Sequence, residues 1–150
     1  MSGMEVLEET GQRLQLKVSG SPEALGETVE RVEEFSRKIG FSEEQIDRIK
    51  LSVDEACSNV IEHGYNFAPE RYYQVICERL ENGIKIVIKD DAKHFSPPPV
   101  TPPDPEAELG DIRIGGLGRY FMGVFMDKVW YNTELKEGNE LTMIKYLQKP

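Results

Sequence analysis

One segment does most to set the architecture of this chain: Asp54-Glu55-Ala56-Cys57-Ser58-Asn59-Val60-Ile61-Glu62-His63-Gly64-Tyr65. Apolar residues recur before and through it at three- and four-residue steps, which predicts an amphipathic helix from a Ser42 cap to about His63. Glu55, Asn59 and His63 follow one another at four-residue steps along the border of the apolar stripe. Polar groups at the rim of a core can contact a ligand, although a solvated helix face with an incidental Asn explains the same pattern.

Around this helix, the pattern alternates between strand-like and helical runs. Ser21-Pro22 predicts a preceding helix that ends at Gly40, and Asn82-Gly83 predicts a β-hairpin. We expect a single α/β domain with its core at about residues 12–147: a two-layer sandwich in which helices cover one face of a mixed, mostly antiparallel sheet. The predicted strands are 12–18, 71–80, 84–89, 128–135 and 141–147, and a short helix is predicted at 120–126.

The composition restricts the possible partners and compartment. The 150 residues carry 18 basic and 27 acidic side chains, a net charge of -9, which argues against direct nucleic-acid binding. Cys57 and Cys77 are interpreted as reduced core residues, with a disulfide or a reactive thiol as the alternatives. Residues 1–10 are acidic and lack a long apolar run, so we expect no signal peptide, no membrane span and a cytoplasmic location.

Two further motifs contain residue types that suit a nucleotide. Asp90 ends a strand and can face a ligand, or form a turn with Asp91, and Phe95 is either a core residue or a ligand contact. A proline-rich segment, residues 96–112, leads to Gly115-Gly116-Leu117-Gly118, which precedes the short helix. Backbone N–H groups at such a helix start can bind an anion, although a glycine cluster alone is weak evidence. The cluster is neither a Walker sequence nor a Rossmann fingerprint.

Taken together, these motifs resemble those of the GHKL ATPase superfamily: Glu-x-x-x-Asn-x-x-x-His is similar to its N box, Asp-x-Ala-x-x-Phe to its G1 box, and Gly-Gly-Leu-Gly to its G2 box. Within the superfamily, residues 54–65 resemble the N box of the anti-sigma factor kinases of the RsbW and SpoIIAB type. Residues 113–118, 126–129, 131 and 138–142 resemble the C-terminal half of the same group. The resemblance spans about residues 12–147 and implies a Bergerat-type ATPase fold.

The resemblance also implies roles for individual residues in binding Mg-ATP. Glu55 would be the general base and Asn59 a ligand of Mg²⁺. Asp90 would accept a hydrogen bond from the adenine amino group. The remaining nucleotide contacts would come from His63, Ala92, Phe95, Arg113, Gly115, Gly116, Leu117 and Gly118. Ala92 stands where the family pattern has Gly, which would weaken or shift the nucleotide if that position needs a positive φ or a close approach to adenine.

The implied function is that of an anti-sigma factor serine/threonine-protein kinase. Such a protein phosphorylates an anti-anti-sigma protein of the STAS type, sequesters a sigma factor and forms a homodimer. The alternative is a regulatory protein that changes partners according to nucleotide occupancy, without kinase activity.

Overall fold

The computed structural model describes residues 3–93, 121–132 and 134–148. A short 3-10 turn at Pro22–Ala24 precedes the first long helix. A π-helical turn at Val60–Gly64 continues the second long helix, and residues 121–125 are also helical. The main elements are β1 (Met4–Glu9), β2 (Arg13–Ser19), α1 (Leu25–Ile39), α2 (Glu43–Asn59), β3 (Tyr72–Leu80), β4 (Gly83–Asp90), β5 (Lys128–Tyr131) and β6 (Asn139–Tyr146).

The strands form one six-stranded sheet in the order β1-β2-β3-β4-β6-β5. All five strand pairings of the described residues are antiparallel, so the sheet contains no parallel pair in this part of the chain. β5 and β6 form the C-terminal hairpin, and β6 returns to pair with β4. This return places the start of β6 beside the end of β4, which matters for the site described below.

Both long helices begin and end where the local sequence requires. The Ser21 side chain accepts a hydrogen bond from the Glu23 N–H ahead of α1, and Gly40 closes α1 with a φ of 113°, a left-handed conformation that suits glycine. At α2, Ser42 and Gln45 form the predicted capping box. The predicted helix end near His63 corresponds to the π-helical turn, which ends at Gly64.

The core lies between the helices and one face of the sheet. Alternate residues of the central strands point to this face, as strand geometry dictates, and each fully buried side chain contributes about 1.5–3 kcal/mol. From the sheet they are Leu14, Leu16, Val18, Tyr73, Val75, Cys77, Ile84, Ile86, Ile88, Leu141 and Met143, and from the helices Val32, Phe35, Ile39, Ile46, Ile49, Val53 and Ala56. Cys57 and Cys77 are buried free thiols, as expected, and burial raises the pKa of Cys57 to about 12.

Lys145 is the one cation among the buried residues of the described chain, at 4% exposure. Its Nζ donates a hydrogen bond to the Phe125 carbonyl at 2.9 Å and lies 3.9 Å from Asp127 Oδ2. The same Asp127 oxygen accepts a hydrogen bond from the Tyr146 N–H at 2.7 Å. These contacts fasten the C-terminal end of the helical residues 121–125 to β6.

Several details differ from the sequence-based expectation, among them the last strand, which begins at Asn139 rather than at residue 141. β1 has no counterpart among the predicted strands, and β5 ends at Tyr131 rather than at residue 135. The β3–β4 hairpin is correct, but Gly83 is the first residue of β4. A side chain there would bring its Cβ to 2.1 Å from the Lys145 carbonyl oxygen, so this glycine permits close approach of β6. Among the described residues, no helix is both long and apolar enough to cross a bilayer.

Candidate functional site

The end of α2 and the paired ends of β4 and β6 converge on one small cavity. Asp90 and Asn139 are directly opposite each other in the β4–β6 register, both on the face that the helices cover. Asn59, the last residue of α2, is 3% exposed and faces the same cavity. The cavity is lined by Ala56, Asn59, Val60, Ile88, Asp90, Tyr131, Asn139 and Leu141. Polar side chains of Asn59, Asp90, Tyr131 and Asn139 converge on it among apolar residues, and its volume of about 10 Å³ has room for about one water molecule.

The Asp90 carboxylate is held in one orientation by its neighbours. Oδ1 accepts hydrogen bonds from Asn139 Nδ2 and from the Ala92 N–H, each at 2.9 Å. Asn139 Nδ2 also donates to the Lys93 carbonyl at 3.2 Å, which ties β6 to the residues that follow β4. Burial raises the pKa of Asp90 above its ordinary value, and the hydrogen bond from Asn139 partly opposes this shift. A half-buried acceptor with a fixed direction can select a ligand that carries an N–H donor.

The Asn59 side chain has an unsatisfied polar group. Its Nδ2 is buried and makes no hydrogen bond within the described residues. Leaving such a donor unpaired costs about 1–3 kcal/mol, which native structures seldom tolerate without a reason. Rotation of the amide exchanges its oxygen and nitrogen, so this position can offer either an acceptor or a donor to a ligand. Both the burial and the missing partner point to a binding role.

Glu55 lies one turn before Asn59 on α2 and is half-buried. Its side chain lines a second, more apolar cleft formed with the helical residues 121–125. Glu55 therefore lies between the cavity at Asn59 and this cleft. His63 lies on the π-helical turn beyond Asn59 and is exposed. The structure thus brings Asn59 and Asp90 to one cavity, with Glu55 one turn away and His63 at the surface.

With this geometry in place, comparison with known proteins places the chain in a family. A family model described as histidine kinase-like ATPase domain matches residues 18–145.

The chain belongs to that family.

Several of its relatives bear the name serine-protein kinase RsbW. The relative from Bacillus licheniformis is 26% identical over 140 residues, covering 91% of this chain and 86% of the relative. The relative from Staphylococcus epidermidis is 34% identical over 121 residues, 77% of this chain and 74% of the relative. Among solved structures, the histidine kinase domain of the Erythrobacter litoralis EL346 blue-light activated histidine kinase matches with a TM-score of 0.51 at 13% identity, covering 87% of this chain. The chain spans 62% of that structure's length, and the likeness confirms the fold.

In this ATPase domain the two adjacent acids, Asp90 and Asp91, have different surroundings. Asp91 faces outward, where its Oδ1 lies 2.8 Å from the Tyr65 hydroxyl and accepts a hydrogen bond from Arg71 at 2.9 Å. The Asp91 N–H donates to that hydroxyl at 3.0 Å, and the Arg71 guanidinium stacks over the Tyr65 ring. The hydrogen bond from Tyr65 and the nearby Arg71 lower the pKa of Asp91. Asp91 therefore fixes the segment after α2 against the end of β4, and Asp90 alone faces the cavity.

Ala92, which departs from the GHKL pattern, is accommodated in this ATPase domain without backbone strain. Asn66 and Phe67 are the non-glycine residues with positive φ in the described parts of the chain, so Ala92 has no left-handed conformation to maintain. Its side chain is buried close to Gly64, and its N–H is one of the two donors to Asp90. The cost that a positive φ would impose at this position is therefore absent.

Three residues of the site in this ATPase domain, Tyr131, Gly138 and Asn139, were missing from the sequence-based candidates. Gly138 has a φ of 75°, and a Cβ there would lie 2.3 Å from the Asp90 carbonyl oxygen, so glycine permits the β5–β6 turn to lie against Asp90. The Gly-Asn pair at the head of β6 is the available signal, but it indicates a site only once β6 is known to pair with β4. The predicted site residues Phe95, Arg113, Gly115, Gly116, Leu117 and Gly118 lie outside the described residues.

Proposed function

We propose that this ATPase domain is a serine/threonine-protein kinase that binds Mg-ATP and acts on a protein partner. The observation that carries the proposal is the convergence of Asn59, Asp90 and Asn139 on one cavity, with Glu55 one turn away on α2. ATP would supply the transferred phosphoryl group. Phosphoryl transfer depends mainly on positioning and charge stabilisation, with a residue that orients the attacking hydroxyl. Glu55 suits that last role, since a carboxylate can accept the hydroxyl proton.

The nucleotide would be held from both sides of the cavity. Asp90 would accept a hydrogen bond from the adenine amino group, and its orientation is already set by Asn139 and the Ala92 N–H. Asn59 would offer its amide oxygen to Mg²⁺, since no hydrogen bond from Nδ2 fixes the amide in its present orientation. One such ligand is adequate, because this cation keeps several waters and takes its remaining ligands from phosphates. No group of three or more His, Cys, Asp or Glu side chains in the described chain could hold a metal ion. We therefore place the cation on the nucleotide rather than in a protein cage.

The proposed partners follow from the relatives, which bear the name serine-protein kinase RsbW. We propose an anti-anti-sigma protein of the STAS type as the phosphorylated substrate and a sigma factor as the alternating partner. In this proposal the protein acts as a homodimer in the cytoplasm, where Cys57 and Cys77 stay reduced. Sedimentation at micromolar concentration tests the dimer, and a monomer alone would reject that part.

The experiment that tests the function is co-expression with a candidate STAS-type protein, followed by intact-mass and tandem mass spectrometry. We expect one phosphate on a Ser or Thr of the STAS protein, and none when the kinase chain carries Glu55→Gln. Isothermal calorimetry with ATP and ADP, with and without Mg²⁺, tests the nucleotide site separately, using Asn59→Asp as the altered ligand. Folded wild-type protein that gives no heat with either nucleotide would rule the proposal out.

A further inference from the structure

A second concave surface lies beside Glu55 on the side away from Asn59. It is an apolar cleft between α2 and the helical residues 121–125, lined by Leu51, Ser52, Asp54, Glu55, Phe121, Met122 and Phe125. The Phe121 and Phe125 rings stack with centroids 5.6 Å apart and form one wall. The carboxylate that we propose to activate a hydroxyl therefore forms part of a surface that the nucleotide cavity does not use.

Two large apolar side chains that line the cleft are exposed to solvent instead of packing in the core. Leu51 is 56% exposed and Phe121 39% exposed, although other large apolar residues of both segments are buried. Val124, one turn after Phe121, is also exposed. Clustered exposed apolar side chains of this kind mark interaction sites more often than isolated ones do.

The charges around the cleft specify its occupant. On α2, Asp47, Asp54 and Glu55 lie within one turn of Leu51, and Asp47 and Asp54 are exposed. The nearest cations of the helix are already paired: Arg48 with Glu44 at 2.9 Å and Lys50 with Glu33 at 2.7 Å. On the α2 side of the cleft, the apolar Leu51 is thus surrounded by acidic side chains. A partner that matches this surface carries an apolar side chain next to lysine or arginine.

We propose that this cleft binds the segment of the protein substrate that carries the accepting hydroxyl, through an apolar side chain flanked by basic residues. The proposal rests on the proposed kinase function and adds a substrate class to it. Leu51 and Phe121 contact the apolar side chain, and Asp47 and Asp54 attract the basic residues. Docking there brings the neighbouring Ser or Thr to Glu55, because the same carboxylate lines the cleft.

Fluorescence anisotropy with short labelled peptides tests the cleft directly. The probe is a peptide with a central serine flanked by leucines and then by lysines. The two comparison peptides have the leucines replaced by serine or the lysines replaced by glutamate. We expect saturable binding of the first peptide and at least about tenfold weaker binding of the other two, a loss of about 1.4 kcal/mol for each missing anchor.

Matched protein variants locate the binding. Leu51→Lys should weaken binding of the leucine-lysine peptide about tenfold or more, because it removes an apolar anchor and adds a like charge. Leu7→Lys is the control, since Leu7 is also an exposed leucine, at 44%, but lies on β1. Equal binding by both variants, or no saturable binding of any peptide, would overturn the proposal. So would a change from dimer to monomer on Leu51→Lys with peptide affinity unchanged, which would assign the cleft to a second copy of the chain.

Calorimetry with ATP on the same variants separates this proposal from the kinase proposal. Leu51→Lys should keep the ATP affinity of wild type, because Leu51 does not line the nucleotide cavity. ATP binding without peptide binding rejects the docking cleft alone. Peptide binding at Leu51 without any ATP binding rejects the kinase proposal, and with it the assignment of the peptide as substrate.

Discussion

Gly64 lies so close to Ala92 that a methyl group on both residues would be crowded. A Cβ on Gly64 would lie 3.2 Å from Ala92 Cβ, closer than ordinary van der Waals contact. Ala92 cannot easily move away, because its N–H is bonded to Asp90 and the preceding Asp91 is held by Tyr65 and Arg71. The π-helical turn after α2 and the residues after β4 therefore pack closely against each other at the edge of the nucleotide cavity.

We predict that the effect of Gly64→Ala on stability depends on residue 92. In the wild-type background the crowding against Ala92 costs about 1–3 kcal/mol and outweighs the helical preference of Ala over Gly, about 1 kcal/mol, so the free energy of unfolding falls. In an Ala92→Gly background the crowding is absent and only the helical preference remains, so Gly64→Ala raises the free energy of unfolding by about 1 kcal/mol. Urea denaturation of the two single variants and the double variant measures the coupling, and strictly additive changes would contradict this crowding.

Glu55→Gln should separate binding from chemistry. The amide keeps the shape of the side chain but cannot take a proton, so phosphate transfer should fall by about 10²–10⁴-fold while ATP affinity stays near that of wild type. Glu30→Gln is the matched control, since it makes the same change at an exposed glutamate of α1 that lies in neither cavity. If Glu55→Gln transfers phosphate at the wild-type rate, the base is misassigned. If wild type transfers no phosphate to its genuine anti-anti-sigma partner, the alternative of a regulatory protein that changes partners with nucleotide occupancy becomes the better description.

Asp90→Asn should weaken ATP binding and yet stabilise the folded protein near neutral pH. Burial raises the pKa of Asp90, so the folded state holds its proton more tightly than the unfolded state does. Stability therefore falls as pH rises from the ordinary aspartate pKa through the raised one. Asn keeps the Oδ1 acceptor for Asn139 without the charge, so its stabilising effect should be present above the raised pKa and absent below the ordinary one.

Asp91→Asn is the control for this experiment and should behave in the opposite way. The hydrogen bond from Tyr65 and the Arg71 cation lower the pKa of Asp91, so its stabilising effect is present above the ordinary aspartate pKa and is lost as pH falls through the lowered one. Because the Asp91 side chain is largely exposed, the loss on substitution should be small. Urea denaturation of both variants across the acidic and neutral range provides the test. A parallel pH dependence of the two variants would contradict their assigned surroundings.

Lys145→Met should destabilise the protein more than the small difference in size between the two side chains suggests. The Phe125 carbonyl loses its donor and Asp127 loses its nearby cation, which together should cost about 1–3 kcal/mol. Lys89→Met, an exposed lysine on the neighbouring strand, should change stability by less than about 0.5 kcal/mol. Thermal unfolding of the two variants measures the difference. Equal melting temperatures would show that the buried amine is dispensable.

Much of the fold follows from local signals in the sequence. The Ser42–Gln45 capping box, Gly40 and the alternating strands act over a few residues, so their physical effects can be read directly from the chain. β1 was missed because three of its six residues are glutamates, and its pairing with β2 supplies the stability that its own composition lacks.

Long-range pairing accounts for the parts of the site that the sequence could not predict. Asn139 lies 49 residues beyond Asp90, and the two meet only because β6 returns between β4 and β5. The resemblance of Asp-x-Ala-x-x-Phe to the G1 box indicates Asp90 rather than Asp91, but the opposite orientations of the two side chains depend on Tyr65 and Arg71. The spacing of Glu55 and Asn59, in contrast, was predictable, since both lie on one regular helix.

β1 also has a consequence for how the protein behaves in concentrated solution. An edge strand has unpaired backbone N–H and C=O groups, so it can pair with a strand of another molecule and start aggregation. Here the edge strand β1 carries Glu5, Glu8 and Glu9. Its register with β2 shifts between Val6 and Glu8, which leaves Leu7 out of the regular ladder. Such a bulge and three negative charges oppose the addition of another strand. The same segment that escaped prediction therefore protects the β1 edge of the sheet from pairing with a further strand.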